Sequence, residues 1–332
     1  MFEKQLDFLA IGDITTDAFI RLKEAELHCD IDKSNCQISM DFGSKIPYEF
    51  VEIVKGVGNS ANASVTASRL GLSSALIANI GNDENGRECR QKIASEGIET
   101  KFFSEHSGKA TNYHYVLWYG DDRTILVKHE DYKYRLPKFD PPKWIYLSSL
   151  GGSTRDYHKE IGVYIKKNPE VKLCFQPGTF QMNLGMDDIV FPFYEHSEVF
   201  VVNVEEAQKI LKTTEPSIKN LMKAIRALGP KIVLVTDGPK GAYMNFNNEA
   251  WFMPIYPDPK PPYERTGAGD AFASTFVSAL ALGKSPEEAL MWAPVNPMSV
   301  VQYIGAQKGL LTKSQIEKLL KSAPSKYKPE RI

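Results

Sequence analysis

No run of apolar residues in this chain approaches the roughly 20 that a membrane-spanning helix needs, and nothing in it reads as a membrane protein. Cysteine is scarce. The four present, Cys29, Cys36, Cys89 and Cys174, include no C-x-x-C pair, and the grouping of His28, Cys29 and Cys36 fits no common zinc spacing, so reduced structural thiols are expected. Net charge is almost absent as well: a value of -1 at pH 7 gives no overall attraction to nucleic acid or acidic lipid. Any phosphate must therefore be held by local geometry. The G-x-x-x-x-G-K-[ST] of a Walker loop is missing, which excludes the P-loop kinases. Residues 1–9 mix acidic and basic side chains without an apolar stretch, so no secretory leader is read there and the cytoplasm is the expected compartment. What is present is ordinary for a globular chain: 42% hydrophobic and 24% charged residues over 332 positions, enough for one large domain.

Residues 263–280 read Y-E-R-T-G-A-G-D-A-F-A-S-T-F-V-S-A-L, a glycine-rich turn running straight into a helical pattern of small and apolar residues. Unpaired backbone N–H groups should converge where that helix begins, making a hole for an anion. Asp270 stands at its mouth. A carboxylate there gains from the helix dipole and is expected to stay ionised, ready to take a proton from a hydroxyl. An ordinary loop with an aspartate cap explains the same letters when they are taken alone.

The rest of the chain alternates short apolar runs with helical patterns. Residues 6–11, 74–80, 144–150, 171–176, 199–203 and 231–236 read as buried strands, and residues 87–96, 155–167, 205–212 and 217–228 as helices between them. A doubly wound, mostly parallel α/β sheet flanked by helices follows, with right-handed crossovers carrying Asp17, Asn62, Asn203, Thr236 and Asp270 to one edge. Segments at about 15–55 and 111–129 break this pattern. They are rich in Tyr, Trp, Val and Ile, with a turn at Gly120-Asp121-Asp122, and read as a small antiparallel sheet projecting from the single domain. The helix near residue 290 is expected to be interrupted by Pro294 and Pro297.

Residues 56–63, G-V-G-N-S-A-N-A, open a helix with small residues and two asparagines, and an Asn amide both donates to and accepts from sugar hydroxyls. Asn62 is expected at substrate. The same letters match a dinucleotide fingerprint with Asp83 downstream, so a dehydrogenase is an alternative, although one that leaves residues 266–270 unexplained. Asn203 and Glu206, three apart where a strand meets a helix, suit either a cap or the outer shell of a hydrated Mg²⁺. Thr236, Gly238, Lys240 and Gly241 suit either a hairpin or a phosphate-binding turn.

R-T-G-A-G-D-A-F resembles the second signature of the PfkB, ribokinase-like carbohydrate kinases, and G-V-G-N-S-A-N-A the first; the likeness runs from Leu6 to about Leu320. The resemblance implies Asp270 as catalytic base, Gly267, Ala268 and Gly269 as the anion hole, and Asp17, Gly58, Asn59 and Asn62 at the sugar, with Asp13 a further candidate. It implies Asn203 and Glu206 as the element that orders Mg²⁺ through water. It gives Thr236, Gly238, Lys240 and Gly241 to the nucleotide, and sets Asn296 beside the adenine. Gly305-Ala306 and Thr266 match a monovalent-cation loop, but Glu264 stands where many members have Asp. The longer side chain is expected to move or abolish that site, which leaves a K⁺ requirement open. The expected activity is ATP- and Mg²⁺-dependent phosphorylation of a small sugar, with a lid that favours a homodimer. A nucleoside kinase, with Phe19, Tyr113 or Tyr115 stacking a base, and a non-catalytic sugar sensor are the other readings.

Overall fold

The computed structural model describes residues 5–29, 36–120 and 122–332. Its strands are β1 Phe8–Ile11, β2 Thr15–Leu22, β3 Glu26–Cys29, β4 Cys36–Ser39, β5 Tyr48–Val57, β6 Ser74–Gly81, β7 Phe103–His106 and β8 Tyr113–Tyr119. They continue with β9 Asp122–Leu126, β10 Trp144–Leu147, β11 Lys172–Phe175, β12 Ser197–Asn203, β13 Ile232–Thr236, β14 Ala242–Phe246, β15 Glu249–Met253 and β16 Glu330–Arg331. Ten of them form the main sheet in the order β16-β15-β14-β13-β12-β11-β10-β1-β6-β7. Every pairing from β7 to β13 is parallel, and the three from β13 to β16 are antiparallel.

Both faces of this sheet are covered, which is why its strands read as unbroken apolar runs. Along β1, Phe8 and Ala10 belong to one buried cluster and Leu9 and Ile11 to the other. The strand period of two assigns these clusters to opposite faces. The order of strands reverses at β1, which has β6 on one side and β10 on the other. Loops that leave the carboxyl ends of β1 and β10 therefore part in opposite directions and open a crevice between them.

The lid differs in one pairing from the expectation. Its order is β5-β2-β8-β9, with β5–β2 and β8–β9 antiparallel, but β2–β8 is parallel. The chain leaves the lid on β5 and passes through β6 and β7 of the main sheet before β8 begins, so it re-enters the lid running with β2 and opposite to β5. The turn residue Asp121 lies outside the described residues, as do residues 1–4 of the leader reading. Cys29 and Cys36 are not reduced thiols: they are cross-strand partners in the β3–β4 ladder, with Cα atoms 4.1 Å apart, and form a disulfide. Cys89 and Cys174 are free and buried. The proline pair acts as expected, dividing the chain into the helices Pro286–Trp292 and Val295–Val300.

Candidate active site

Asp270 lies in the first turn of the helix Ala268–Ala281, behind the N-cap Gly267, whose φ of 83° places it in the left-handed region. Glycine is required there twice over, since a Cβ would also come within 2.1 Å of the Ala306 Cβ. Over Gly269, by contrast, a Cβ would meet nothing within 4 Å. The first-turn amides of Gly269 and Asp270 have no carbonyl of their own helix to reach, so the open space stands over unpaired donors.

Three amides hold the Asp270 carboxylate. Asn59 Nδ2 donates to Oδ1 at 2.8 Å, Asn62 Nδ2 to Oδ2 at 2.8 Å, and Gln176 Nε2 to Oδ1 at 3.3 Å. Asn59 and Asn62 come from the helix Asn59–Arg69, which packs against the Asp270 helix and is tied to it one turn further on by the Ser274 hydroxyl, which donates to Thr66 Oγ1 at 2.9 Å. Burial raises the Asp270 pKa, and the three amide donors offset this only in part. Burial thus works against the helix dipole and makes the group a stronger base than an exposed aspartate.

Sequence reasoning missed the groups that position these amides. Gln307 Nε2 donates to Asn62 Oδ1 at 3.0 Å and to the Gly56 carbonyl at 2.7 Å, while the Tyr146 hydroxyl donates to Gln176 Oε1. They sit far apart in the chain and in no motif, so only the fold shows them.

A polar cleft of about 670 Å³ opens beside Asp270 and is walled by Asp17, Gly58, Asn62, Asn203, Thr236 and Gly269 among others. The five residues expected to gather at one edge do so. Asp13, just after β1, and Asp17, within β2, also line the cleft. Asp13 accepts from the Tyr134 hydroxyl at 2.7 Å, the Gly151 amide at 2.8 Å and His129 Nδ1 at 3.0 Å. Hydrogen bonding to Asp13 in turn raises the His129 pKa. Gly58 has φ 113°, and a Cβ on it would come within 2.6 Å of the Asp13 carbonyl oxygen, so this glycine is needed for the contact between two loops of the cleft. Asp83 instead caps the helix Glu84–Ser95 and accepts from Gly86 and Thr111, which removes the ribose acid of the dehydrogenase reading.

Next to the cleft is an apolar pocket of about 380 Å³ walled by Gly238, Gly241, Met253, Phe272, Pro294 and Met298. Thr236, Arg265 and Gly269 belong to the walls of both cavities. Two expected nucleotide residues stand elsewhere. Lys240 is 78% exposed, pairs with Asp237 at 3.4 Å and belongs to neither wall, because the 3₁₀ turn Gly238–Lys240 carries it outward. Asn296 is fully buried: its amide donates to Thr275 Oγ1 at 2.7 Å and its oxygen accepts from Leu311 N at 2.7 Å, and only the flanking prolines reach the pocket.

Asn203 and Glu206 form a reciprocal capping box at 2.8 and 2.9 Å on the helix Val204–Leu211, and both also line the cleft. Burial raises the Glu206 pKa, and the nearby Asp270 charge adds to this. The group fits Mg²⁺ held through water: one Glu206 oxygen is taken by the cap, the other is left, and the two carboxylates raise the local negative charge. The K⁺ loop does not fit. Glu264 is fully buried, with Oε1 accepting from the Thr266 amide at 2.8 Å and hydroxyl at 2.6 Å, and Oε2 from the Gly305 amide at 3.4 Å. Its oxygens already join the two loops that a cation would bridge. Among the aromatics proposed to stack a base, Phe19 is buried in the lid core, and neither Tyr113 nor Tyr115 belongs to the cleft wall.

A buried carboxylate in a helix's first turn, lining a polar cleft that shares walls with an apolar pocket, suits a phosphotransferase that acts on an alcohol. The description "pfkB family carbohydrate kinase" matches residues 50–313, most of the chain, and the chain belongs to that family. It is 26% identical over 273 residues to a ribokinase of Bacillus subtilis, covering 79% of this chain and 87% of that one. In fold it is similar to the Arabidopsis thaliana ribokinase complexed with ribose and ATP, at a TM-score of 0.78 and 18% identity over 96% and 99% of the two chains. The Methanocaldococcus jannaschii nucleoside kinase, a member of the ribokinase family, gives 0.76 at 16% identity over 96% and 99%.

Proposed function

We propose that the acceptor is a small sugar, phosphorylated on a hydroxyl by ATP. The observation that carries this is the Asp270 carboxylate, fixed by Asn59, Asn62 and Gln176 in the wall of the polar cleft, next to Gly269, which the cleft shares with the apolar pocket. In this reading the adenine fills the apolar pocket and the triphosphate runs past Thr236 toward Gly269. The acceptor hydroxyl loses its proton to Asp270 as its oxygen attacks the γ-phosphorus, and ADP leaves. The amides of the 267–269 turn, held open by the glycines, stabilise the charge that spreads over the phosphoryl oxygens. Mg²⁺, held through water near Asn203 and Glu206, supplies further neutralisation of the phosphates. A sugar is favoured over a nucleoside because none of Phe19, Tyr113 and Tyr115, the lid aromatics that would stack a base, lines the cleft.

The lid also supports a homodimer. Ile53, Ala18, Tyr115 and Leu126 are successive cross-strand partners on one lid face, and Ile53, Tyr115 and Leu126 are each about half exposed. ATP as the donor supports a cytoplasmic location. The test is ADP release from Mg-ATP in the presence of a panel of ketoses, aldoses, sugar acids and nucleosides. Acceptor-dependent release that Asp270→Asn lowers by about 10²–10⁴ is the expected result; binding of sugar without any release would return the chain to the sensor reading.

A further inference from the structure

The acceptor half of the cleft holds several charged groups, and they differ in how many partners they already have. Asp13 is satisfied by three donors, one of them His129. Asp17 lies 3.4 Å from His114 Nδ1, yet its Oδ1 is buried without a hydrogen bond. His114 Nε2 is likewise buried and unpartnered, with the side chain 14% exposed. Arg123 Nε is the third such atom, and all three residues line the cleft.

Arg123 donates from Nη1 to Asp122 at 3.0 Å, but the Asp122 side chain is 72% exposed, so that pair is screened by water and leaves the guanidinium charge largely uncompensated. The charge is felt inside the cleft, where it acts on Asp270. A neutral hydroxyl would satisfy Asp17. It would leave a half-buried guanidinium with a poor partner, whereas a planar or tetrahedral oxyanion matches its fork of donors.

We propose that the acceptor carries a fixed negative charge, a carboxylate or a phosphate on a polyhydroxy carbon chain, and that Arg123 and His114 Nε2 bind that anion while Asp17 Oδ1 accepts a hydroxyl. The inference rests on the kinase reading and deepens it. Carboxylate and phosphate share the chemistry of an oxyanion on a guanidinium, and the geometry here serves either.

The experiment measures ADP release from Mg-ATP with acceptors matched in carbon chain: the neutral sugar, its sugar acid and its phosphate monoester, with wild type, Arg123→Gln and Arg123→Lys. One charged acceptor is expected to exceed the neutral sugar in kcat/KM by about 10-fold or more, the acid and the monoester identifying which oxyanion is read. Arg123→Gln should erase that preference mainly through KM, by about 10- to 100-fold, and Arg123→Lys, which keeps the charge but not the fork, should fall between. A wild type that prefers the neutral sugar, or a charged-to-neutral ratio untouched by Arg123→Gln, overturns the proposal and leaves the kinase reading standing. Absence of acceptor-dependent release from every compound overturns both.

Discussion

At the scale of single residues, the chemistry depends on how Asp270 is held. Burial favours its neutral form and the amides of Asn62, Asn59 and Gln176 favour the carboxylate, with burial prevailing. Base catalysis needs the ionised form, so turnover is present at high pH and lost as pH falls through a pKa above the ordinary 3.8. Asn62→Ala removes one of the groups that lower this pKa and should move the acid limb of the kcat–pH profile upward; an unmoved limb would count against Asp270 as the base. For stability the sign is opposite. A carboxyl whose folded pKa is raised stabilises the fold only when protonated, and that contribution is lost as pH rises. Asp270→Asn should therefore melt no lower than wild type at neutral pH, while its turnover falls by about 10²–10⁴ as for loss of a general base. Glu264 carries a second residue-level expectation. Because its own oxygens join residues 264–266 to Gly305, replacing K⁺ by tetramethylammonium should leave kcat within about twofold, well below the effect of removing a required ionic ligand. A strong K⁺ dependence in the steady-state rate would refute this.

At the scale of elements, the site is built where segments distant in sequence are clamped together. Arg69, at the end of the helix Asn59–Arg69, makes a two-pronged contact with Glu96 at 2.8 and 2.9 Å and donates from Nη1 to the carbonyls of Gln307 and Leu310 at 2.8 Å. The segment that positions Asn62 is thus held by the helix that carries Asn62. The Arg69 guanidinium, with help from Lys92, holds the Glu96 pKa down to about 2 against 4.5 for a free side chain. The lowered value means that this contact stabilises the fold above pH 4.5 and is lost as pH falls toward 2. By linkage a shift of this size corresponds to at most about 3.4 kcal/mol, and solvent screening of the partly exposed pair lowers that to about 2–3 kcal/mol. Glu96→Gln should lose roughly that much in urea unfolding at pH 7, and the gap from wild type should close in acid. The strand–helix alternation and the turn of residues 266–270 were legible because period and glycine placement are local signals. Asp270, Asn62, Asn203 and Thr236 followed from motif spacing. Gln176, Gln307, His114 and Arg123 did not, since their roles arise only when separate elements meet. Lys240 and Asn296 lie outside the apolar pocket's wall, because a motif gives a residue's position along the chain but not the direction in which a 3₁₀ turn or a proline-flanked helix points it.

At the scale of the whole molecule, the main sheet is enclosed on both faces, but the lid is a sheet of one buried face. Phe19, Val116, Trp118 and Ile304 pack under it with Phe50 and Val54. Its other face presents Ile53 at 53%, Tyr115 at 48% and Leu126 at 52% exposure, in register across the sheet. An apolar row of this kind on an open sheet is a liability unless another surface covers it. A second copy of the lid offers a surface of the same character, and a two-fold contact would cover both rows at once. Sedimentation of the wild type at micromolar concentration should therefore give a dimer, and Ile53→Glu a monomer with unchanged far-UV circular dichroism. The substitution places a charge opposite its own image across the two-fold axis without touching the lid core, so loss of the dimer would be specific to the interface. A wild type that sediments as a monomer, or an Ile53→Glu variant that still dimerises, would show that the lid face is not where two chains meet.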